Sequence, residues 1–166
     1  MVDGYEGYNA ICQRQHLVRL GCWAHARRKF MEAQAVQVKG KTGKADEVLS
    51  QIQKLYVIEK ALKDKSTAEK YLIRQQESQP ILDKIKRWLD KSLPHVPPKT
   101  ALGKALHYLH NQWPRLMGYV THGDYPIDNN PAENAIRPFV IGRKNWLFAV
   151  SPKGASASAN LYSLIE

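Results

Sequence analysis

The sequence predicts a mainly α-helical protein, and three observations carry that prediction. Long stretches lack Pro and Gly and are rich in Ala, Leu, Lys, Arg and Glu, the better helix formers. Apolar residues in those stretches recur at spacings of three, four and seven, the period of one helix face. Helix-start signatures precede three of them, at Ser66, Thr100 and Asn130.

Taken in chain order, Gly4 and Gly7 with Tyr5 and Tyr8 predict a turn leading into a short helix through about Cys12. His16 to Leu20, ended by Gly21, is a brief apolar run and the one predicted strand. Trp23 to about Val38 reads as a helix, Lys39 to Lys44 as a loop with Gly40 and Gly43, and Ala45 to Leu62 as an amphipathic helix with Val48, Ile52, Leu55 and Leu62 on one face. Ser66 followed by Glu69 is a capping box. The helix it opens runs to about Leu93, with Ile81, Leu82, Ile85, Trp88 and Leu89 on one face, and Pro80 either kinks or restarts it. Pro94, Pro97 and Pro98 form a break. Thr100 caps a helix bearing Leu102, Leu106, Leu109 and Trp113, and Gly118 to Pro126 is rich in turn residues. The stretch 45–121 is thus a helical hairpin or bundle. Gly154 to Asn160, rich in Ala and Ser, starts the last helix, while Trp146, Leu147 and Phe148 are expected to anchor a core.

Composition narrows the function classes. The 166 residues are 43% hydrophobic and 24% charged, as in a globular chain, and no apolar run approaches the roughly 20 residues of a membrane span. No basic-then-apolar leader follows Met1, so a cytoplasmic location is expected. Two cysteines, Cys12 and Cys22, do not make a disulfide framework and read as small buried hydrophobes. The net charge of +10 points to a polyanionic partner such as nucleic acid. Its distribution says more than its total. Residues 13–44 hold eight basic side chains and one acidic, residues 84–115 seven and one, and the stretch between them is close to neutral.

The densest polar chemistry lies between Asp124 and Arg137. Asn130 as N-cap, Pro131 at the first helical position and Glu133 three residues past the cap form a complete helix start, which by itself accounts for these residues. The functional alternative is that Glu133, fixed on the first turn, is an inflexible metal ligand needing carboxylate partners from elsewhere. Asp3 is one candidate, although an Asp-Gly pair is also an ordinary turn. Asp128, Asn129 and Asn130 read as turn and cap residues supporting the Glu133 helix. Cys22 and His25 at a spacing of three invite a zinc reading, but no second ligand pair accompanies them. His107 and His110 share that spacing and read as helix surface. Arg27, Arg28 and Lys29 fan around their helix and suit phosphate contact as well as solvation. Arg137, Arg143 and Lys144, close in sequence to Glu133, suit phosphates near a metal site.

Five blocks carry a resemblance: Asp3 to Tyr8 (DGYEGY), Gly21 to Phe30 (GCWAHARRKF), Ile127 to Pro138 (IDNNPAENAIRP), Gly142 to Phe148 (GRKNWLF) and Tyr162 to Glu166 (YSLIE). In this order, across nearly the whole chain, they resemble the C-terminal part of the catalytic domain of the insertion-sequence sixty-six (IS66) family of DDE transposases. The resemblance implies partial ribonuclease-H-like α/β elements at the two ends of the chain, with the helical insertion between them. It divides the chain into a segment 1–44 with the second catalytic Asp, a strand and a basic helix; an insertion 45–121; and a segment 122–166 with the catalytic Glu. Asp3 matches that Asp and Glu133 that Glu, both as ligands of Mg²⁺ or Mn²⁺ in DNA cleavage and joining. It also implies transposon ends and target DNA as partners, possible self-association, and a bacterial, nucleoid-associated setting. The family's first catalytic Asp has no counterpart in these residues, so the expectation is a fragment or truncated copy that is not competent alone. The alternative from another class is a non-catalytic DNA-binding or subunit-interaction protein using its basic helical surface. A third reading is a chain whose exposed strand edge pairs with another chain.

Overall fold

The computed structural model describes residues 18–37, 42–145 and 151–165. The described residues are mainly helical, in seven α-helices: α1 (Trp23–Ala35), α2 (Lys44–Ala61), α3 (Thr67–Ile73), α4 (Gln79–Ser92), α5 (Ala101–Leu116), α6 (Asn130–Asn145) and α7 (Pro152–Ile165). The chain divides into two compact units, one up to Asn129 and one from Asn130.

In the first unit, α1, α2, α4 and α5 meet on one core of Trp23, Phe30, Ile52, Leu55, Leu82, Ile85, Leu106 and Leu109, each 1% exposed or less. The spacing of these residues within each helix is what brings them to one face, and burying side chains of this size is worth about 1.5–3 kcal/mol apiece. Trp23 knits α1 to the end of α5. Its indole N–H donates to the Leu116 carbonyl at 3.0 Å, its ring meets Trp113 edge-on at 6.1 Å, and its backbone N–H donates to the Ile127 carbonyl at 3.1 Å.

Local signals set the helix ends. Ser66 accepts from the Glu69 N–H and Glu69 reaches back to the Ser66 N–H, closing the capping box ahead of α3. The Thr100 hydroxyl oxygen accepts from the Gly103 N–H at 3.0 Å ahead of α5. Gly103 is required there, because a Cβ would fall 2.1 Å from the Pro97 carbonyl oxygen.

The helix expected from Ser66 to Leu93 is interrupted by a π-turn over Arg74–Ser78. Pro80, just inside α4, has no N–H to give and its ring would crowd the carbonyl of Gln76 in a straight helix. The wider turn accommodates it, and both Arg74 and Ser78 come to be buried.

The predicted strand is not found over its described part. Val18 to Leu20 are irregular, and Gly21 forms a single bridge residue whose N–H donates to the Arg115 carbonyl at 2.8 Å. His16, Leu17, the helix expected before Cys12, and the proposed Trp146 to Phe148 anchor lie outside the described residues. No described helix is long and apolar enough to cross a membrane.

Candidate functional site

Glu133 stands in the first turn of α6, which begins at Asn130 with Pro131 next. Proline's fixed φ and missing N–H suit that position, where no intrahelical donor is needed. Glu133 is half-buried, whereas Arg137, one turn further on, is exposed. Pro138 lies inside the helix and supplies no N–H to the Asn134 carbonyl. The helical register places Lys144 three turns beyond Glu133, and Arg143 one residue earlier.

Before this helix, in the first unit, Asp128 is only 8% exposed and accepts from the Tyr56 hydroxyl at 2.9 Å. Burial pushes that hydroxyl well above the usual tyrosine range; the Asp128 charge and hydrogen bond add to the shift, and the Arg27 charge opposes it. The Asn129 N–H donates to the Cys22 sulfur at 3.3 Å. Cys22 is therefore a buried thiol that fixes the backbone of this segment. Among the described residues no group of three or more His, Cys, Asp or Glu gathers to hold a metal, and this applies to Cys22 and His25 as well. Glu133 thus offers one carboxylate, and Asp3 lies outside the described residues.

The basic residues of α1 differ from one another. Arg27 is half-buried, with its charge felt at Tyr56, while Arg28 and Lys29 are exposed. Lys29 pairs with Glu32 at 3.5 Å, an exposed i,i+3 contact of little energetic weight. His107 and His110 are exposed, in keeping with a helix surface.

A scaffold that sequence reasoning missed centres on Arg74, 3% exposed. Its guanidinium forms a two-pronged pair with Glu59 at 2.8 and 2.7 Å and donates to the carbonyls of Tyr119, His122 and Gly123. Gln75 donates to the Val120 carbonyl at 2.7 Å, and the Thr67 hydroxyl to Asp124 at 2.6 Å. Together they pin the turns that lead to Asp128. The only sequence signal was an arginine in a helix of nearly neutral charge.

The family model described as "Transposase IS66 family" matches residues 1–157. Among curated proteins, y4hP of Sinorhizobium fredii is 30% identical over 87% of this chain and 28% of its own length. From the same organism, y4qI is 30% identical over 99% of this chain and 31% of its own length, and y4jD 30% identical over 99% and 33%. The chain therefore spans about a third or less of the length of these relatives. No solved structure matches it significantly.

Proposed function

The chain belongs to the transposase IS66 family, and from that premise we propose that it contributes Asp3 and Glu133 to a DDE catalytic site for cleaving and joining DNA ends. The observation that supports this most directly is the position of Glu133, on the first turn of a helix, half-buried, one turn before an exposed arginine. A carboxylate held there has little conformational freedom to lose when it binds a cation. Asp3 and Glu133 are the residues that would hold Mg²⁺ or Mn²⁺. When bound, such ions neutralise phosphoryl oxygens and lower the pKa of an attacking hydroxyl or water. Arg137, with Arg143 and Lys144, binds and orients the DNA phosphates beside the carboxylates. Asp128, Asn129 and Asn130 fix the backbone that enters the Glu133 helix.

The whole reaction belongs to the longer family protein, acting on transposon ends and target DNA at the bacterial nucleoid. The test is calorimetric titration of Mn²⁺ into the chain and into its Asp3→Asn and Glu133→Gln variants. Binding weakened in both variants is expected; Mn²⁺ affinity untouched by either substitution would sink the assignment. Metal-dependent cleavage by the 166-residue chain, abolished in Glu133→Ala, would refute the expectation that the chain is not competent alone. The two basic segments favour a second reading, a non-catalytic DNA-binding or subunit-interaction role. It predicts salt-sensitive DNA affinity with no metal requirement.

A further inference from the structure

Helix α4 carries a charge arrangement that the Glu133 segment does not use. Its buried face is Leu82, Ile85, Leu89 and Ser92. Away from that face lie Lys84, Arg87 and Lys91, all exposed. At about 100° per residue they share an arc of about 60°. The helix's two acids are already engaged on its flank. Asp83 accepts from the Gln79 amide at 2.9 Å, and Asp90 pairs with Lys86. Arg87 gives only its Nε, in a long 3.4 Å contact to the Asp83 backbone carbonyl. None of the three cations has an acidic partner among the described residues.

We propose that this face of α4 is a contact surface for the phosphate backbone of duplex DNA, additional to the basic residues around Glu133. The proposal rests on the transposase reading and gives the helical insertion a share in holding the substrate. Seven residues of helix rise about 10 Å, and at about 3.4 Å of axis per phosphate on one strand the stripe spans about three phosphates. An acidic protein partner suits it less well, because the stripe has no apolar or aromatic anchor of the kind that dominates protein interfaces. The nearest aromatic, Trp88, packs on Phe30 and donates its N–H to Glu47 at 2.8 Å. A membrane surface is also a poor fit, since the apolar face that would insert is buried in the core.

The test is fluorescence anisotropy of the full chain with a labelled duplex over a series of salt concentrations. It compares the unmodified chain, the triple variant Lys84→Gln, Arg87→Gln, Lys91→Gln, and a charge-matched control, Lys54→Gln, Lys60→Gln, Lys63→Gln, at exposed positions in and after α2. The stripe variant is expected to lower the slope of log K against log salt by about 2.7, at about 0.9 for each phosphate no longer neutralised, and the control by less than about 1. Lys84→Arg with Lys91→Arg should keep the slope, which separates charge loss from misfolding. If the unmodified chain binds and the stripe variant keeps its slope, the surface is wrong while the transposase reading stands. Equal losses in both triple variants would reduce the effect to net charge and overturn the proposal. Absence of any duplex binding by the unmodified chain would overturn the proposal and DNA binding by this chain together.

Discussion

Among the described side chains, the first unit of this chain buries many apolar residues in a shared core and the second buries none. Up to Asn129, Trp23, Phe30, Ile52 and Leu106 vanish from solvent into one shared core. From Asn130 on, none of the described side chains is buried, and Ile136 and Leu161 remain 56% and 60% exposed. The helices of the first unit supply each other's partners, so apolar periodicity there is converted into packing within the unit. The second unit holds the candidate catalytic Glu on a helix whose Ile136 lies exposed. Among the described side chains, the candidate catalytic Glu and the shared core therefore lie in different units.

The largest effect that would break this contrast comes from Arg74. Arg74→Ala leaves Glu59, 13% exposed, without its cation and frees three backbone carbonyls. Removing one partner of a buried ion pair costs about 3–5 kcal/mol. Urea unfolding of the full chain should show a loss of that size. A loss below about 1 kcal/mol would mean the first unit is not held together through this residue, and its contrast with the second would weaken.

The Tyr56 to Asp128 hydrogen bond is expected to matter less, but with a pH signature. Tyr56→Phe leaves Asp128 short of a donor, at a cost of about 1–3 kcal/mol near neutral pH. The pH sign follows from the raised pKa of the folded tyrosine. Its contribution is complete below the unfolded tyrosine value of about 10 and erodes as pH rises above it, because the unfolded chain ionises there while the folded hydroxyl resists. The variant should therefore lose stability less steeply between about pH 9 and 11. Tyr119, whose hydroxyl burial also pushes upward, keeps the rest of that slope. Identical alkaline slopes in the two proteins would contradict the assignment.

What could be read from the sequence was local. The α2 helix, expected over Ala45 to Leu62, spans Lys44–Ala61, and the caps at Ser66 and Thr100 form as their spacing dictates. The start of α6 was legible to within one residue, since Asn130, expected as the cap, is its first helical residue and Pro131 follows. The long-range links were not visible. Arg74 meets carbonyls 45 to 49 positions away, and Tyr56 meets Asp128 across 72. Such pairings depend on how the helices stack, which periodicity does not encode. The π-turn escaped for a related reason, since Pro80 signals a disruption without specifying its form. The strand over His16 to Leu20 was read from composition alone, and strand formation requires a neighbour. As for the candidate site, the residues alone place Glu133 at a helix start, and its catalytic role, like that of Asp3, rests on the family resemblance.

The smallest expected change, at Ile136, sharpens the comparison most, because it is set against the same substitution in the first unit. Ile52→Ala removes a fully buried side chain and should cost about 2–5 kcal/mol, the transfer term plus a cavity in the shared core. Ile136→Ala removes the same atoms from a position 56% exposed. The apolar area lost from burial is small there, and alanine's better helix propensity offsets part of it. The net change should fall within about 0.5 kcal/mol of zero. Thermal or denaturant unfolding of the two variants, with circular dichroism to confirm that helix content is retained, measures the difference directly. If Ile136→Ala costs more than about 1.5 kcal/mol, a value typical of a buried site, then Ile136 is packed rather than solvated and the contrast between the units fails. The Glu133 helix would in that case be held by packing at Ile136 as well as by its start.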